Sequence, residues 1–372
     1  MAKIYMIGDT HVGLGYPNKV DKWFKIHDDY FNKFLIPFLK ESLEEGDIII
    51  HLGDLFDNRN VIPINLLDFT QKIIEQIASI APFHIIIGNH DLWTRSTSEI
   101  NSVNLYKYIP NVFVYDSPKR IKFNELDLLM IPYIENKKEQ VNIIKENSDC
   151  HYLFCHSDLS GARMHLNSVA NKNNDKIDVD VFSNFIKVYS GHIHIVQSQK
   201  NFTFVGSVFE MDRNDIDNQK GIFVLDVDNK KEIFVENNIS PRFKKMYLLK
   251  ESDIDKLDGL VTKDYIDLFI SNSLLINNRK FRRKIEILLE QGNFASIDYI
   301  DDINDSGDTE VNTEKVSEGI SEEDKPKIDL NFKEVIIDYI KAQKYDNPKI
   351  KNGILNEYEN IIRIYDEEYE KN

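Results

Sequence analysis

Cysteine, long apolar stretches and positive charge are all scarce in this chain, and each shortage narrows what it can be. Only two cysteines occur in 372 residues, Cys150 and Cys155. A pair on either side of the run 151–154 implies no disulfide framework, and reduced thiols in a cytoplasmic setting fit best. No apolar run reaches the roughly 20 residues needed to cross a bilayer, so no membrane association is expected. The chain enters a strand-like run almost at once, at Lys3, and no signal peptide is expected. Lys and Arg number 46 against 62 Asp and Glu, a formal charge of −16. Such a balance ordinarily argues against a nucleic-acid partner, but its location matters. Between Ser296 and Lys325, eleven acidic side chains face only Lys315 and Lys325, a local balance of −9, which leaves −7 for the rest. Some of the remaining carboxylates belong to a cluster that cations would neutralise, so net charge does not decide the substrate.

What is present is better defined. An apolar fraction of 42% excludes wholesale disorder, and the length suffices for one large α/β domain and a smaller one. Five polar motifs follow apolar runs in order: Asp9-Thr10-His11, Gly53-Asp54, Gly88-Asn89-His90-Asp91, His156, and Gly191-His192-Ile193-His194. Runs such as 3–8 and 47–53 read as strands buried on both faces. Ligands of open α/β sheets collect beyond the carboxyl ends of such strands. Helices are expected over 27–44, 64–79 and 135–146, and strands over 83–87, 126–131, 151–155 and 187–190. That alternation gives an α/β core over 1–200.

From about residue 201 the pattern changes to short runs (202–205, 221–227, 232–235) and a mixed region, read as a smaller α+β domain over 201–295. Residues 296–328 have the composition of a solvated acidic linker. Over 329–372, Phe332, Val335, Ile336, Tyr339 and Ile340, and then Ile350 through Tyr365, fall at helical spacing. A helix pair on such a tether reads as a docking module for another protein, or as a unit packing back on the second domain.

The motifs carry chemistry together. Asp9 and His11 alternate along one strand end and reach one metal; Asp54 has lone pairs enough to bridge two. Asn89 offers an amide oxygen, and His156, His192 and His194 three imidazoles. This mixed oxygen and nitrogen set suits Mn, Fe or Zn better than Ca. Two cations about 3.5–4 Å apart can generate a bridging hydroxide and clamp a phosphate for in-line displacement. His90 is placed to stabilise transition-state charge or protonate a leaving oxygen, with Asp91 placed to orient it. Gly8, Gly53, Gly88 and Gly191 permit close approach at the strand ends. His27, His51, His84, His151 and His165 are expected to be structural or surface residues.

These motifs resemble the calcineurin-like metallophosphoesterases, whose pattern is Asp-x-His, Gly-Asp, Gly-Asn-His and Gly-His-x-His. Asp9-Thr-His-Val-Gly13, Gly53-Asp-Leu-Phe56 and Gly206-Ser207 followed by Lys220–Asp226 are similar to the SbcD-type nucleases of recombination and double-strand-break repair, including those of tailed phages. The resemblance implies a two-sheet sandwich flanked by helices, a smaller α+β capping domain, and a C-terminal helix-loop-helix. It also implies two divalent ions, Mn2+ foremost, held by Asp9, His11, Asp54, Asn89, His156, His192 and His194, with His90 catalytic. The implied substrate is DNA, and the implied partner a coiled-coil ABC-type ATPase (SbcC-like) gripped by the C-terminal helices. A phage-encoded chain would act in the host cytoplasm. Some members carry a histidine three residues after the bridging aspartate; here that residue is Asp57.

Family members dimerise through helices beside the motifs. Leu66, Leu67, Phe69 and Ile73, with Leu92, Trp93, Ile100, Val103 and Leu105, offer either that surface or ordinary core. Arg59 and Arg95 are the expected DNA contacts, with the basic runs 242–245 and 279–284 as further candidates. The competing enzyme is a phosphatase or cyclic-nucleotide phosphodiesterase on the same scaffold. A non-catalytic scaffold that binds DNA ends is the reading from another class.

Overall fold

Strand Lys3–Ile7 shows how the apolar runs build this protein. Ile4 and Met6 face one core, Tyr5 and Ile7 another, and all four are almost fully buried. With successive side chains on opposite faces, only a run apolar at every position can sit between two cores. The computed structural model describes residues 2–15, 20–94, 97–166, 168, 176–257, 264–271, 274, 278–290, 294–300 and 358. All but the last belong to a unit spanning Met1–Asp305, separate from a unit of Ser306–Asn372.

In chain order the first strands are β1 (Lys3–Ile7), β2 (Ile48–His51), β3 (Phe83–Ile86), β4 (Leu92–Thr94), β5 (Thr97–Asn101) and β6 (Val112–Tyr115). Next come β7 (Lys119–Phe123), β8 (Leu126–Ile131), β9 (Tyr152–His156), β10 (Lys187–Gly191), β11 (Gln197–Gln199) and β12 (Phe202–Phe204). The last are β13 (Gly221–Asp226), β14 (Lys231–Glu236), β15 (Phe243–Leu248), β16 (Tyr265–Ser271) and β17 (Phe294–Ile300). One sheet has the order β14-β13-β1-β2-β3-β6 and the other β11-β12-β10-β9-β8-β7. In both the central pairings are parallel and antiparallel strands lie outside.

The two sheets meet face to face. Ile4, Met6, Ile48 and Ile50 pack with Leu128, Met130, Phe154 and Tyr189 between them. Fully burying such a side chain contributes about 1.5–3 kcal/mol. Outside the first sheet lie α1 (Val20–Asp29), α2 (Ile36–Ser42) and α3 (Ile64–Ile80), whose Trp23, Leu39, Ile73 and Ile77 join its outer core. α4 (Lys137–Glu146) covers the second sheet through Ile144. A π-helical turn, Tyr30–Leu35, connects α1 to α2, so the helix expected over 27–44 starts earlier, at Val20. α4 starts at Lys137 because the Asn136 side chain caps it, accepting from Lys138 and Glu139 N–H. The fold is thus the expected two-sheet α/β sandwich flanked by helices.

The boundary expected at 200/201 falls inside this sandwich. β12 pairs with β10, and β13 pairs with β1 and β14. The short runs after residue 201 complete both sheets: β12 pairs with nearby β10 and β11, and β13 joins the first sheet through β1, far away in sequence. The smaller unit is therefore the parallel sheet β15-β16-β17, with α5 (Arg279–Glu290) packing Phe281 and Ile285 against Leu248, Leu268 and Ile270. β17 takes in the first residues of the acidic run. The remainder of the linker and residues 329–372, Tyr358 apart, lie outside the described residues. Among the described residues no helix is long and apolar enough to cross a membrane.

Candidate metal centre

Five parallel strand ends deliver the polar motifs to one edge of the sandwich. Asp9 and His11 follow β1, Asp54 follows β2 and Asn89 follows β3. His156 is the last residue of β9, and His192 and His194 come directly after β10. His11, Asp54 and His192 adopt positive φ, at 44°, 54° and 84°, a conformation that costs about 1–3 kcal/mol when a non-glycine residue is held in it. Bonds between the loops impose it. Thr10 and His11 N–H donate to the Asp54 carbonyl (3.2 and 3.0 Å), and His192 N–H donates to the Asp9 carboxylate (3.1 and 3.0 Å). His90 N–H donates to Asp54 Oδ1 at 2.8 Å. Such closeness excludes side chains at two glycines. A Cβ on Gly88 would collide with the Asp54 backbone and carboxylate, and one on Gly53, at φ +100°, with the His156 ring.

The seven donors gather in two sets that share Asp54. In one, His11 Nε2 lies 3.2 Å from His194 Nε2 and 3.7 Å from Asp54 Oδ2. His194 Nε2 lies 3.6 Å from Asp9 Oδ2. In the other, His156 Nε2 lies 3.0 Å from Asn89 Oδ1 and 3.3 Å from Asp54 Oδ2. His192 Nδ1 lies 2.8 Å from the same Asn89 oxygen.

Hydrogen bonding fixes which nitrogens face inward. His156 Nδ1–H donates to the Leu52 carbonyl at 2.8 Å, and His192 Nε2–H donates to Asp158 Oδ1 at 2.9 Å. In the neutral rings the inward nitrogens then carry lone pairs aimed at oxygens that also only accept. Such a ring of acceptors repels itself unless a proton or a cation sits among them. The donor set therefore fits divalent metals, with nitrogen and oxygen ligands in each half.

Electrostatics give the same picture. Burial disfavours the charged form of His11, but Asp57, Asp54 and Asp9 outweigh it and hold the imidazole up at about 9. Burial opposes charge on His156 as well, and Asp54, Asp9 and the Leu52 carbonyl raise it to about 9. Asp54 is held well below the carboxylate range, His156 and His11 overriding its burial. His194 is driven well down by burial and by the neighbouring His11 and Lys220.

One raised imidazole therefore stands in each set, protonated at neutral pH, and a cation must displace its proton. Affinity for a divalent cation, Mn2+ for example, should accordingly rise from pH 6.5 towards 9 by about tenfold per pH unit for each such proton displaced. Calorimetric titrations across that range test this, and affinity independent of pH would contradict it.

His90 adjoins the two sets, clustering with His11 and Asp57. Its Nδ1–H donates to the Asp57 carbonyl at 2.7 Å, and its ring meets His11 edge-on at 4.8 Å. This leaves Nε2 as the nitrogen available to a substrate. Asp91 does not orient it, contrary to expectation. The chain turns at Gly88, so the buried Asp91 carboxylate folds back to accept from Gly88 N–H (2.9 Å) and Phe56 N–H (3.1 Å). It braces one motif loop against another, and burial together with Asp54 raises it to about 7.

Arg59 lines a groove with Ile62, Leu67, Trp93, Ile100 and Leu105; Arg95 lies outside the described residues. Of the apolar residues considered for dimerisation, Leu66, Phe69, Ile73, Leu92 and Val103 are core, whereas Trp93, Ile100 and Leu105 are exposed. His27, His51, His84 and His151 are structural, bonded to the Trp23 and Thr10 carbonyls, Thr10 Oγ1, Tyr115 OH and Asp127 N–H respectively. Two residues join the site that sequence reasoning gave no role: Asp57, whose Oδ1 lies 3.2 Å from His11 Nδ1, and Asp158. The first was visible only as a departure from a pattern, and the second had no spacing signal.

With this geometry in place, comparison decides the family. The sequence profile of the calcineurin-like phosphoesterases matches residues 2–196. The chain belongs to that family. It is a phosphoesterase by family, of a kind that works with divalent metals, and its donor groups fit them. It is 26% identical over 324 residues to exonuclease subunit 1 of Enterobacteria phage T4, covering 83% of this chain and 88% of that protein. It is 28% identical over 218 residues to a phosphoesterase candidate, 244L, of Invertebrate iridescent virus 6, covering 56% and 70%. A similar candidate, 078R of Invertebrate iridescent virus 3, is 26% identical over 218 residues, covering 56% and 57%.

Proposed function

We propose that this phosphoesterase is the nuclease subunit of a DNA recombination or repair complex, cleaving DNA phosphodiesters with two Mn2+ ions. The observation that carries the chemistry is the convergence of seven acceptor groups in two sets around Asp54 Oδ2. The DNA substrate is supported by the similarity to the phage exonuclease subunit over most of both chains.

Asp9, His11, His194 and Asp54 would hold one cation, and Asp54, Asn89, His156 and His192 the other. Bound there, two cations supply Lewis acidity to the phosphodiester and acidify the attacking water. The protein's own groups do the rest. The Asp57 carbonyl fixes the His90 tautomer, so that Nε2 meets the phosphate or the leaving oxygen. Asp91 keeps the Gly88–His90 loop against Phe56.

DNA contacts are assigned to Arg59, Arg95 and the exposed basic face of α5, Arg279, Lys280, Arg282 and Arg283. Arg242 is withdrawn from that role because Glu210, Glu236 and two backbone carbonyls engage it. Arg59→Ala should weaken duplex binding and lower the slope of log K against log salt by about 1; an unchanged slope removes Arg59 from the interface. Trp93, Ile100 and Leu105 supply the apolar contact of a homodimer, which sedimentation of the purified chain would detect; a monomer at micromolar concentration would refute it. The segment 329–372 is assigned to the ATPase partner.

The functional test is Mn2+-dependent degradation of end-labelled linear duplex DNA, beside a p-nitrophenyl phosphodiester. Shortened duplex supports the nuclease. Turnover of the small ester alone, with and without the ATPase, would favour a phosphatase or cyclic-nucleotide phosphodiesterase and overturn the DNA assignment.

A further inference from the structure

Strand β9 ends in a donor, His156, and two residues later the same strand end presents a carboxylate to a donor on another strand. Asp158 Oδ1 accepts from His192 Nε2–H at 2.9 Å, while the opposite ring nitrogen points at the Asn89 oxygen. Asp158 is itself held. Lys137 Nζ, at the start of α4, lies 3.3 Å from Oδ2, and Lys176 Nζ lies 3.8 Å from Oδ1. Just after it the chain is anchored: Leu159 bridges to Ile177, and Ser160 N–H donates to the Ile177 carbonyl. The Tyr133 ring packs on the His192 ring, with centroids 5.9 Å apart and planes inclined at 37°, and Lys137 Nζ covers the Tyr133 ring at 4.6 Å. The His192 imidazole therefore has a face, a proton-bearing nitrogen and a backbone N–H all fixed by neighbours.

We propose that Asp158 is a positioning residue that sets the tautomer and orientation of His192, so that its Nδ1 lone pair is presented to the second cation. The physical reason is general. A neutral imidazole has one proton and two nitrogens, and a carboxylate on one nitrogen directs the lone pair to the other and makes it more basic. Lys137 and Lys176 give this carboxylate a fixed position, so that it does not turn inward to ligate a metal itself. With Ala at 158 the Nε2–H loses its acceptor, the ring is free to flip, and either nitrogen can carry the proton. This inference rests on His192 being a metal-holding side chain, and the experiment separates the two assignments.

The experiment is calorimetric Mn2+ titration without substrate, on wild type, Asp158→Ala, Asp158→Asn, His192→Ala and the Asp158→Ala/His192→Ala double variant. Circular dichroism would verify the fold of each. Asp158→Ala should weaken one of the two sites by about 10–100-fold and leave the other as it was. Asp158→Asn keeps an acceptor oxygen for Nε2–H and should recover part of the loss. In the His192→Ala background, Asp158→Ala should add nothing, because the side chain it acts through is gone. If His192→Ala weakens a site and Asp158→Ala does not, the positioning role is overturned. An equal loss from Asp158→Ala in both backgrounds overturns it too, since a purely structural carboxylate would behave that way. If His192→Ala leaves both sites unchanged, the assignment of His192 to a metal fails first and takes this inference with it.

Discussion

His90→Ala should lower kcat by about 10²–10⁴-fold, the range expected for losing a positioned proton donor, while Mn2+ binding stays at the wild-type level. The two halves of this result have separate structural causes. His90 contributes to the donor loops through its backbone N–H, which donates to Asp54 Oδ1 at 2.8 Å, and alanine keeps that bond. The imidazole bonds only to the Asp57 carbonyl among the hydrogen bonds described and stands edge-on to His11. Its removal leaves the seven proposed ligands in place and takes away a neighbouring group able to protonate a leaving oxygen. Steady-state kinetics on a phosphodiester, with calorimetry on the same samples, measures both halves. Activity within about threefold of wild type would remove His90 from the chemistry; loss of Mn2+ binding would place it among the ligands.

Lys220→Met should cost about 3–5 kcal/mol of stability, the range for leaving one partner of a buried ion pair uncompensated. Lys220 Nζ is fully buried and donates to the His194 carbonyl (2.8 Å), Ser207 Oγ (2.7 Å) and Asp215 Oδ1 (2.7 Å). Burial lowers its pKa against the pull of Asp215. Methionine fills the volume but leaves the buried Asp215 carboxylate without its counter-charge and takes one hydrogen bond each from Ser207 Oγ and the His194 carbonyl. Since His194 is one of the proposed metal ligands, Mn2+ affinity should fall as well. Urea unfolding of the variant reads the first effect; an unchanged midpoint would contradict it. Lys220→Met with Asp215→Leu removes both charges and should restore much of the loss.

The sequence discloses the parts of this molecule that short-range chemistry determines. β1, β2, β3, β9 and β10 are legible because strands between two cores are largely apolar, and each is followed by or ends in polar residues. The assignment of β13 to the sandwich was hidden because Phe223–Asp226 pairs with Lys3–Met6, more than two hundred residues away, and no local pattern encodes that partner. β15 was harder still: its Lys244 and Lys245 read as a basic surface, yet Lys244 pairs with Asp264 beside a strand that forms a parallel sheet.

At the site, the motifs name all seven residues that the structure brings together around Asp54. The residues that orient them could not. Asp57 holds His90 through a backbone carbonyl, which any residue type would supply. Asp158 reaches His192 only through the pairing of β9 with β10. Asp91 misled for a related reason, since adjacency in sequence suggested a contact with His90 that the turn at Gly88 directs elsewhere.

We propose that five strand ends build one centre that would hold two cations, with Asp54 contributing to both sets. It is tested most directly by counting Mn2+ bound per chain, calorimetrically and by elemental analysis, in wild type and in Asp54→Ala. Two ions in wild type, with neither retained at comparable affinity once Asp54 is removed, is the predicted result. A single ion in wild type, or two ions held undiminished by Asp54→Ala, would contradict it.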